Sequence, residues 1–569
     1  MEGELEKKDL GFIGVCLLVA VVSLAIGVHY FYQAFPEASI DFRLTRDQAE
    51  TQAAAFLAKR GFDLEEYRHS AVFRYDDKSK TFLERELGLQ GATEKIGQPV
   101  QLWRWSNRWV RDLQKQEYQV DITTSGQLVG FSHIIAEEDP GARLDEINAR
   151  ANAERFLTDD LGRDLTILEY VEAETNERPN RVDHTFTWKL RDFAVSEGTY
   201  RVYVRIQGDQ VGGFGEYLKV PEAWQREFTE LQSRNQATGM VASLFLLLTM
   251  LAMLAVFFGR VRGQDIRWKT ALIFGGIAAA LTLLAELNNL PLAEFGFDTT
   301  DTYGSFLTRQ LLNAGLVAIG QGLFIFFLTA AAEPLYRQYY GDQIQLGAQF
   351  TPTGMRTKRF LLGSVLGLAM TAFFFAYQTL FYIIAEKFGA WSPAQIPYSE
   401  MVNTYFPWIM VLLIGFMPAV SEEFMSRAFS IPFLHKYLKS RWAAVVVSAV
   451  IWGFAHAGYP QQPFYVRGIE VGIAGIIIGF VFLRFGLLAP LVWHYTVDAL
   501  YTALILLRSS NSYFVVSAAI SAGLMLLPLA VALFLYFRQR HFTDPTPLLN
   551  EHDQAITPAV ISPEKTADP

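Results

Sequence analysis

Cysteine is almost missing from this chain: among 569 residues Cys16 stands alone. Internal disulfides and cysteine-based metal sites are therefore excluded. There is no surplus of positive charge either, the formal net charge being −9, and that argues against nucleic acid as a partner. The H-E-x-x-H signature of helical zinc proteases does not occur. Residues 36–236 contain no apolar run long enough to cross a bilayer. Lysine and arginine are missing from two turns between apolar runs, 294–301 and 390–401.

What the chain has in abundance is apolar surface, with 51% hydrophobic residues. That fraction, in a chain of this length, points to a membrane protein of several domains. The first run, 11–35, is longer than a signal-peptide core and has no clear small-x-small site before its aromatic end, His29 to Tyr32. It reads as an uncleaved anchor. Further runs follow at 239–259, 270–290, 306–332, 360–384, 403–430, 442–458, 468–484, 486–507 and 513–537. With the anchor these make about ten candidate transmembrane helices, most near the ~20 residues a bilayer requires.

Basic residues set the expected orientation. Lys7 and Lys8, Arg260 to Lys269, Arg356 to Arg359, Lys436 to Arg441, and Arg538 with Arg540 all fall on one side. The expectation is a multi-pass protein of a bacterial inner (plasma) membrane with both termini cytoplasmic and residues 36–236 facing outward. The tail, 541–569, is rich in Pro, Asp and Glu in its last part and is expected to be disordered.

The outward segment repeats itself. The helix-start pattern Ala53–Leu57 recurs at 152–157, and Trp103 with Trp105 is echoed by Phe186 with Trp188. Tyr118 to Phe131 is echoed by Tyr200 to Phe214, each copy carrying a glycine-containing hairpin turn. The expected fold is thus a polytopic α-helical membrane bundle with an extracytoplasmic α+β domain made of two tandem repeats. Its parts are an anchor (1–35), the double module (36–236), accessory helices (237–354), a core (355–540) and the tail. The tryptophans Trp103, Trp105, Trp109 and Trp188 either line a ligand groove or, more plainly, are half-buried sheet residues.

Chemistry concentrates in three apolar segments. Residues 418–427 read PAVSEEFMSR, placing Glu422, Glu423 and Arg427 at the end of an apolar run. Ionisable groups in a membrane segment are costly and by default functional. On a helix Glu423 and Arg427 are four apart and can pair, whereas Glu422 is turned ~100° away and left free. Trp452 and His456 end one later run, and His494 and Asp498, again four apart, lie inside another. At ~1.5 Å per residue, the three segments carry Glu422, His456 and His494 to depths that agree within about 10 Å. A carboxylate with imidazoles is what water activation needs, with or without a metal.

This arrangement resembles the CPBP intramembrane protease family, which includes the CAAX prenyl endopeptidases. The family pattern is E-E-x-x-x-R, aromatic-x-x-x-H, then H-x-x-x-N/D, and the likeness covers roughly 355–540. Trp452 stands where the family more often has Phe, and Asp498 where the CAAX enzymes have Asn. The resemblance implies an intramembrane endopeptidase acting on a membrane protein or peptide substrate within the lipid bilayer. Its catalytic set would be Glu422, Glu423, Arg427, His456, His494 and Asp498; from the residues themselves, Asp498 is expected either to support His494 in stabilising the oxyanion or simply to hold the imidazole tautomer. It favours a metal-free glutamate mechanism; were Zn2+ present, Glu422, His456 and His494 would hold it. Two other classes are a non-catalytic sensor or scaffold with an outward ligand-binding domain, and a transporter, for which no inverted repeat speaks. The outward modules are expected to recruit substrate or restrain access while the bundle carries catalysis alone. A buried pair between Glu286 and Arg309 is also expected.

Overall fold

The computed structural model describes residues 4–34, 42–393, 399–507, 509 and 511–551. After helix α1 (Lys7–Ala34) the chain builds a sheet domain. Thr45 and Gln48 form a capping box that starts α2 (Arg46–Lys59). Strands β1 (Arg68–Tyr75), β2 (Trp103–Val110), β3 (Glu117–Thr123) and β4 (Leu128–Ile134) follow, with α3 (Asp77–Lys95) inserted after β1. Asp145 then caps α4 (Glu146–Arg155), and β5 (Leu168–Glu177), β6 (Val182–Leu190), β7 (Thr199–Gln207) and β8 (Gln210–Lys219) follow. All eight strands join one antiparallel sheet in the order β1-β2-β3-β4-β8-β7-β6-β5. Each half is therefore a helix followed by a four-stranded meander, and the halves meet where Phe131 faces Phe214.

Alternation along the strands decides which face is covered. In β7, Tyr200, Val202, Val204 and Ile206 are buried while the residues between them are half-exposed. The four tryptophans belong to the buried set, with Trp105 only 1% exposed and Trp103, the most open, 5%. They are core.

The bundle follows directly from β8. Its helices are α5 (Glu222–Arg262), α6 (Trp268–Asn288), the short α7 (Leu290–Phe295), α8 (Tyr303–Tyr339) and α9 (Lys358–Glu386). Then come α10 (Pro407–Glu423), a π-helical segment (Phe424–Ser430), α11 (Ile431–Leu438), α12 (Arg441–Ala455), α13 (Val466–Phe485), α14 (Leu488–Leu507) and α15 (Ser512–Gln539). Among the described residues nine helices are long and apolar enough to cross a membrane. The expected run at 442–458 is the exception, since α12 has 15 residues. Helix α5 also starts well before the apolar run it carries, leaving the sheet at Glu222.

The sheet stands on the bundle by its β1 edge. Asn403, just before α10, acts like a neighbouring strand: its Oδ1 accepts the Phe73 N–H at 2.5 Å and its Nδ2 donates to the Phe73 carbonyl at 3.2 Å. Arg108 donates to the carbonyls of Phe295 and Phe297 at 2.7 and 2.8 Å. The sheet core is continuous with Val411, Ala503, Leu506 and Phe514 of the bundle.

The basic turns gather at the opposite end. Lys358 pairs with Asp9 at 3.0 Å, and Arg337 with Asp265 at 2.6 Å. Part of the tail differs from the disorder expected of it. The Thr543 N–H donates to the Arg356 carbonyl, Leu549 bridges Ile344, and the Asn550 N–H donates to the Gln343 carbonyl at 2.9 Å. The rest of the tail, 552–569, lies outside the described residues. Arg309 pairs with Asp301 at 2.6 Å and not with Glu286, because it faces the turn that opens its own helix.

Candidate active site

Helix α10 carries the paired glutamates into the bundle. Pro407 opens it, and the Phe406 N–H before it is anchored on the Asn288 side chain at 2.7 Å. Directly after Glu423 the helix widens into the π-helical segment, a distortion that recurs at functional sites. The Ser430 hydroxyl donates back to the Met425 carbonyl at 2.7 Å inside the widened turn, and Ser448 of α12 donates to the Ser426 carbonyl at 2.7 Å.

Two glycines let the other site helices come close. A Cβ on Gly415 of α10 would lie 2.9 Å from the Tyr495 carbonyl of α14. One on Gly453 of α12 would lie 2.5 Å from the Gly472 nitrogen of α13. Larger residues would push apart the helices that bear Glu422, His494 and His456.

The site residues converge as follows. Glu422 Oε2 lies 3.9 Å from His456 Nε2 and 3.8 Å from His494 Nε2. Asp498 Oδ2 is 3.6 Å from the same His494 nitrogen. Each imidazole is fixed through its other nitrogen. His456 Nδ1 is 2.9 Å from the Trp452 carbonyl, and His494 Nδ1 is 2.8 Å from Glu423 Oε1. A carbonyl can only accept, so His456 Nδ1 carries the proton, and in the neutral ring its Nε2 presents a lone pair toward Glu422.

Glu423 serves two partners at once, since its Oε1 also accepts from Arg427 Nη1 at 3.0 Å. The orienting group on the His494 tautomer is therefore Glu423, and Asp498 sits on the opposite nitrogen. Of the two readings open for Asp498, the tautomer-holding one thus falls to Glu423, and Asp498, one turn along the same helix, reaches the other side of the ring. Arg427 lies over the Trp452 ring with its guanidinium carbon 4.2 Å from the centroid.

Burial divides the set into a working edge and a support. The side chains of Glu422 and Asp498 are 29% exposed and that of His456 20%. Glu423 and Arg427 are at most 2% exposed. Trp452, standing where the family more often has Phe, adds a donor: its indole Nε1–H donates to Glu422 Oε2 at 2.5 Å. On its other side an apolar cavity of about 180 Å3 opens against Phe245, Thr249, Met425, Phe429 and Phe433. The signal for this role was the replacement of a non-donor phenylalanine by a donor indole.

The donor set has the chemistry of a zinc site but not its spacing. Tetrahedral ligands at 2.0–2.1 Å from zinc lie ~3.4 Å apart. Here the carboxylate oxygen stands 3.8 and 3.9 Å from the two nitrogens, and it is already engaged by an indole N–H. Among the described residues no group of three or more His, Cys, Asp or Glu is arranged to hold a metal ion.

Comparison with known proteins supports the family resemblance over the motif region. Residues 404–500 match the family model for Rce1-like, type II CAAX prenyl endopeptidase. The matched stretch contains Glu422, Glu423, Arg427, His456, His494 and Asp498 together. Over 506 residues the chain is 19% identical to the sporulation-killing factor biosynthesis protein SkfC of Bacillus subtilis (strain 168). That alignment covers 83% of this chain and 91% of SkfC, so it extends well beyond the motif region. No solved structure matches the chain.

Proposed function

We propose that the protein is an intramembrane endopeptidase that hydrolyses a peptide bond of a membrane-associated protein, with Glu422 activating the water. The observation that carries this reading is the convergence of one carboxylate oxygen on two imidazole Nε2 atoms, each ring held from behind through its Nδ1. A water among these three groups can give its proton to Glu422 and its oxygen to the scissile carbonyl carbon. His456 orients that water with its Nε2 lone pair. His494 donates from Nε2 to the oxyanion that forms; with Nδ1 committed to Glu423, this requires the doubly protonated ring. Asp498, 3.6 Å from that nitrogen, balances the charge. The proton on Glu422 then passes to the leaving nitrogen as the C–N bond breaks, giving a carboxylic acid and an amine.

The apolar cavity beside Trp452 would receive an apolar group of the substrate. The sheet domain is a tandem pair facing outward, and the basic turns with both termini are cytoplasmic. The preferred mechanism uses no metal. Prolonged dialysis against a strong chelator should leave turnover within about twofold of the untreated protein; stoichiometric zinc whose removal abolishes cleavage would overturn the metal-free step. Function itself is tested with Glu422→Gln, which keeps the shape and removes the base. Cleavage of a membrane-embedded peptide by the purified variant should fall at least ~10²-fold.

A further inference from the structure

Helix α5 lies outside the region that matches the protease family, yet it reaches the loop that carries His456. Asn235 sits on this helix one turn before its apolar run and is 1% exposed. Its Nδ2 donates to two carbonyls of that loop, Tyr459 at 2.6 Å and Gln461 at 2.8 Å. Its Oδ1 accepts from Gln462 Nε2 at 3.0 Å. One amide thus fills three hydrogen bonds across residues 459–462. Four residues along α5, Gly239 packs so closely that a Cβ there would lie 3.3 Å from the Gly458 nitrogen.

From the clamp to the imidazole is a short path. The Tyr459 N–H donates to the His456 carbonyl at 3.3 Å, and the Tyr459 ring stacks on the His456 ring with centroids 6.0 Å apart. His456 is the C-cap residue of α12: its own N–H still donates to the Gly453 carbonyl at 3.0 Å, and beyond it the α-helical bonding ends. Behind the loop, Gln462 forms a bridge with Trp391, each backbone N–H donating to the other's carbonyl at 2.8 Å. The loop is therefore held on two sides, and the α5 side runs directly into the sheet domain through β8.

We infer that Asn235 is a positioning residue for His456: it fixes the loop that sets the imidazole against Glu422, and it makes α5 the physical connection between sheet domain and catalysis. This rests on the reading of Glu422 and His456 as the catalytic pair. A displacement of about 1 Å at a reacting group can cost ~10²-fold in rate. The loop holds His456, whose role is to orient the attacking water, so the expected loss falls on kcat.

The test uses full-length protein in lipid nanodiscs and two independent lesions, Asn235→Ala and Gly239→Val. Each is assayed for kcat and KM on a membrane peptide, for thermal midpoint, and for amide hydrogen exchange over 456–462. The expected result is faster exchange in that loop, a kcat lower by tenfold or more, KM within about twofold, and an unfolding midpoint close to wild type. Unchanged exchange in both variants would show that α5 does not hold the loop. Faster exchange with unchanged kcat would show that the loop does not position His456. Global unfolding of both variants would also count against it, since the role is local. If wild type cleaves nothing, the protease reading fails, and the exchange arm still judges the clamp.

Discussion

At the residue scale, chemistry depends on which side chain stands behind which. Trp452 makes the point: its indole N–H holds Glu422 Oε2 while Arg427 stacks on its face. Hydrogen bonds to a charged group contribute about 1.5–3 kcal/mol. Trp452→Phe keeps the aromatic wall and removes the donor, so kcat should fall by roughly tenfold or more with the fold intact. Steady-state kinetics of the purified variant check this, and an unchanged kcat would remove the indole from the account. Spacing in the sequence was enough to single out Glu422, His456, His494 and Asp498, because i,i+4 geometry places pairs on one face of one helix. Contacts between helices were not legible. The bond from Glu423 to His494, 71 positions away, depends on how two helices are rotated against each other, and that information is spread over every packing residue. Asn235 was hidden for a further reason: an asparagine in a polar stretch gives no periodic signal.

At the element scale, apolar runs and turn residues gave the helices and the two meanders their places. Three features escaped. The π-helical segment after Glu423 has no pattern of its own, since one widened turn leaves the apolar period almost unchanged. Helix α12 is too short to span by itself and was bounded too generously. The first half of α5 read as part of the sheet domain because its apolar stripe, Trp224, Phe228 and Leu231, is too thin to make a long apolar run. The sheet also contains a group whose titration bears on stability. Burial, reinforced by Arg205 and Arg60 and opposed by Asp139, holds His133 on β4 down to about 4 from an ordinary value of 6.5. Its ring stacks on Tyr118 with centroids 4.7 Å apart, and Gln116 lies 3.0 Å from its Nε2. Between about 6.5 and about 4 the unfolded chain binds this proton and the folded chain does not, so this group's contribution to stability falls as pH falls. Denaturation midpoints at pH 4 and pH 7 should differ less in His133→Phe than in wild type. An equal difference in both proteins would contradict the assignment.

At the scale of the whole molecule, the sheet domain and the bundle are physically connected. The sheet shares a core with the ends of α10, α14 and α15, and α10 and α14 carry Glu422 and His494. Asn403 ties β1 to the segment that enters α10, and Asn235 ties the helix leaving β8 to the His456 loop. Removing residues 36–236 as a block would therefore take away a contact of the catalytic loop along with the sheet. The central claim remains that a single carboxylate, Glu422, activates water between two fixed imidazoles. Its most direct measurement is the turnover of one membrane-embedded peptide by purified full-length protein, wild type beside Glu422→Gln, with folding of both verified by thermal unfolding. A loss of at least ~10²-fold in kcat with an unchanged midpoint is the predicted result; equal turnover by the two proteins would contradict the account.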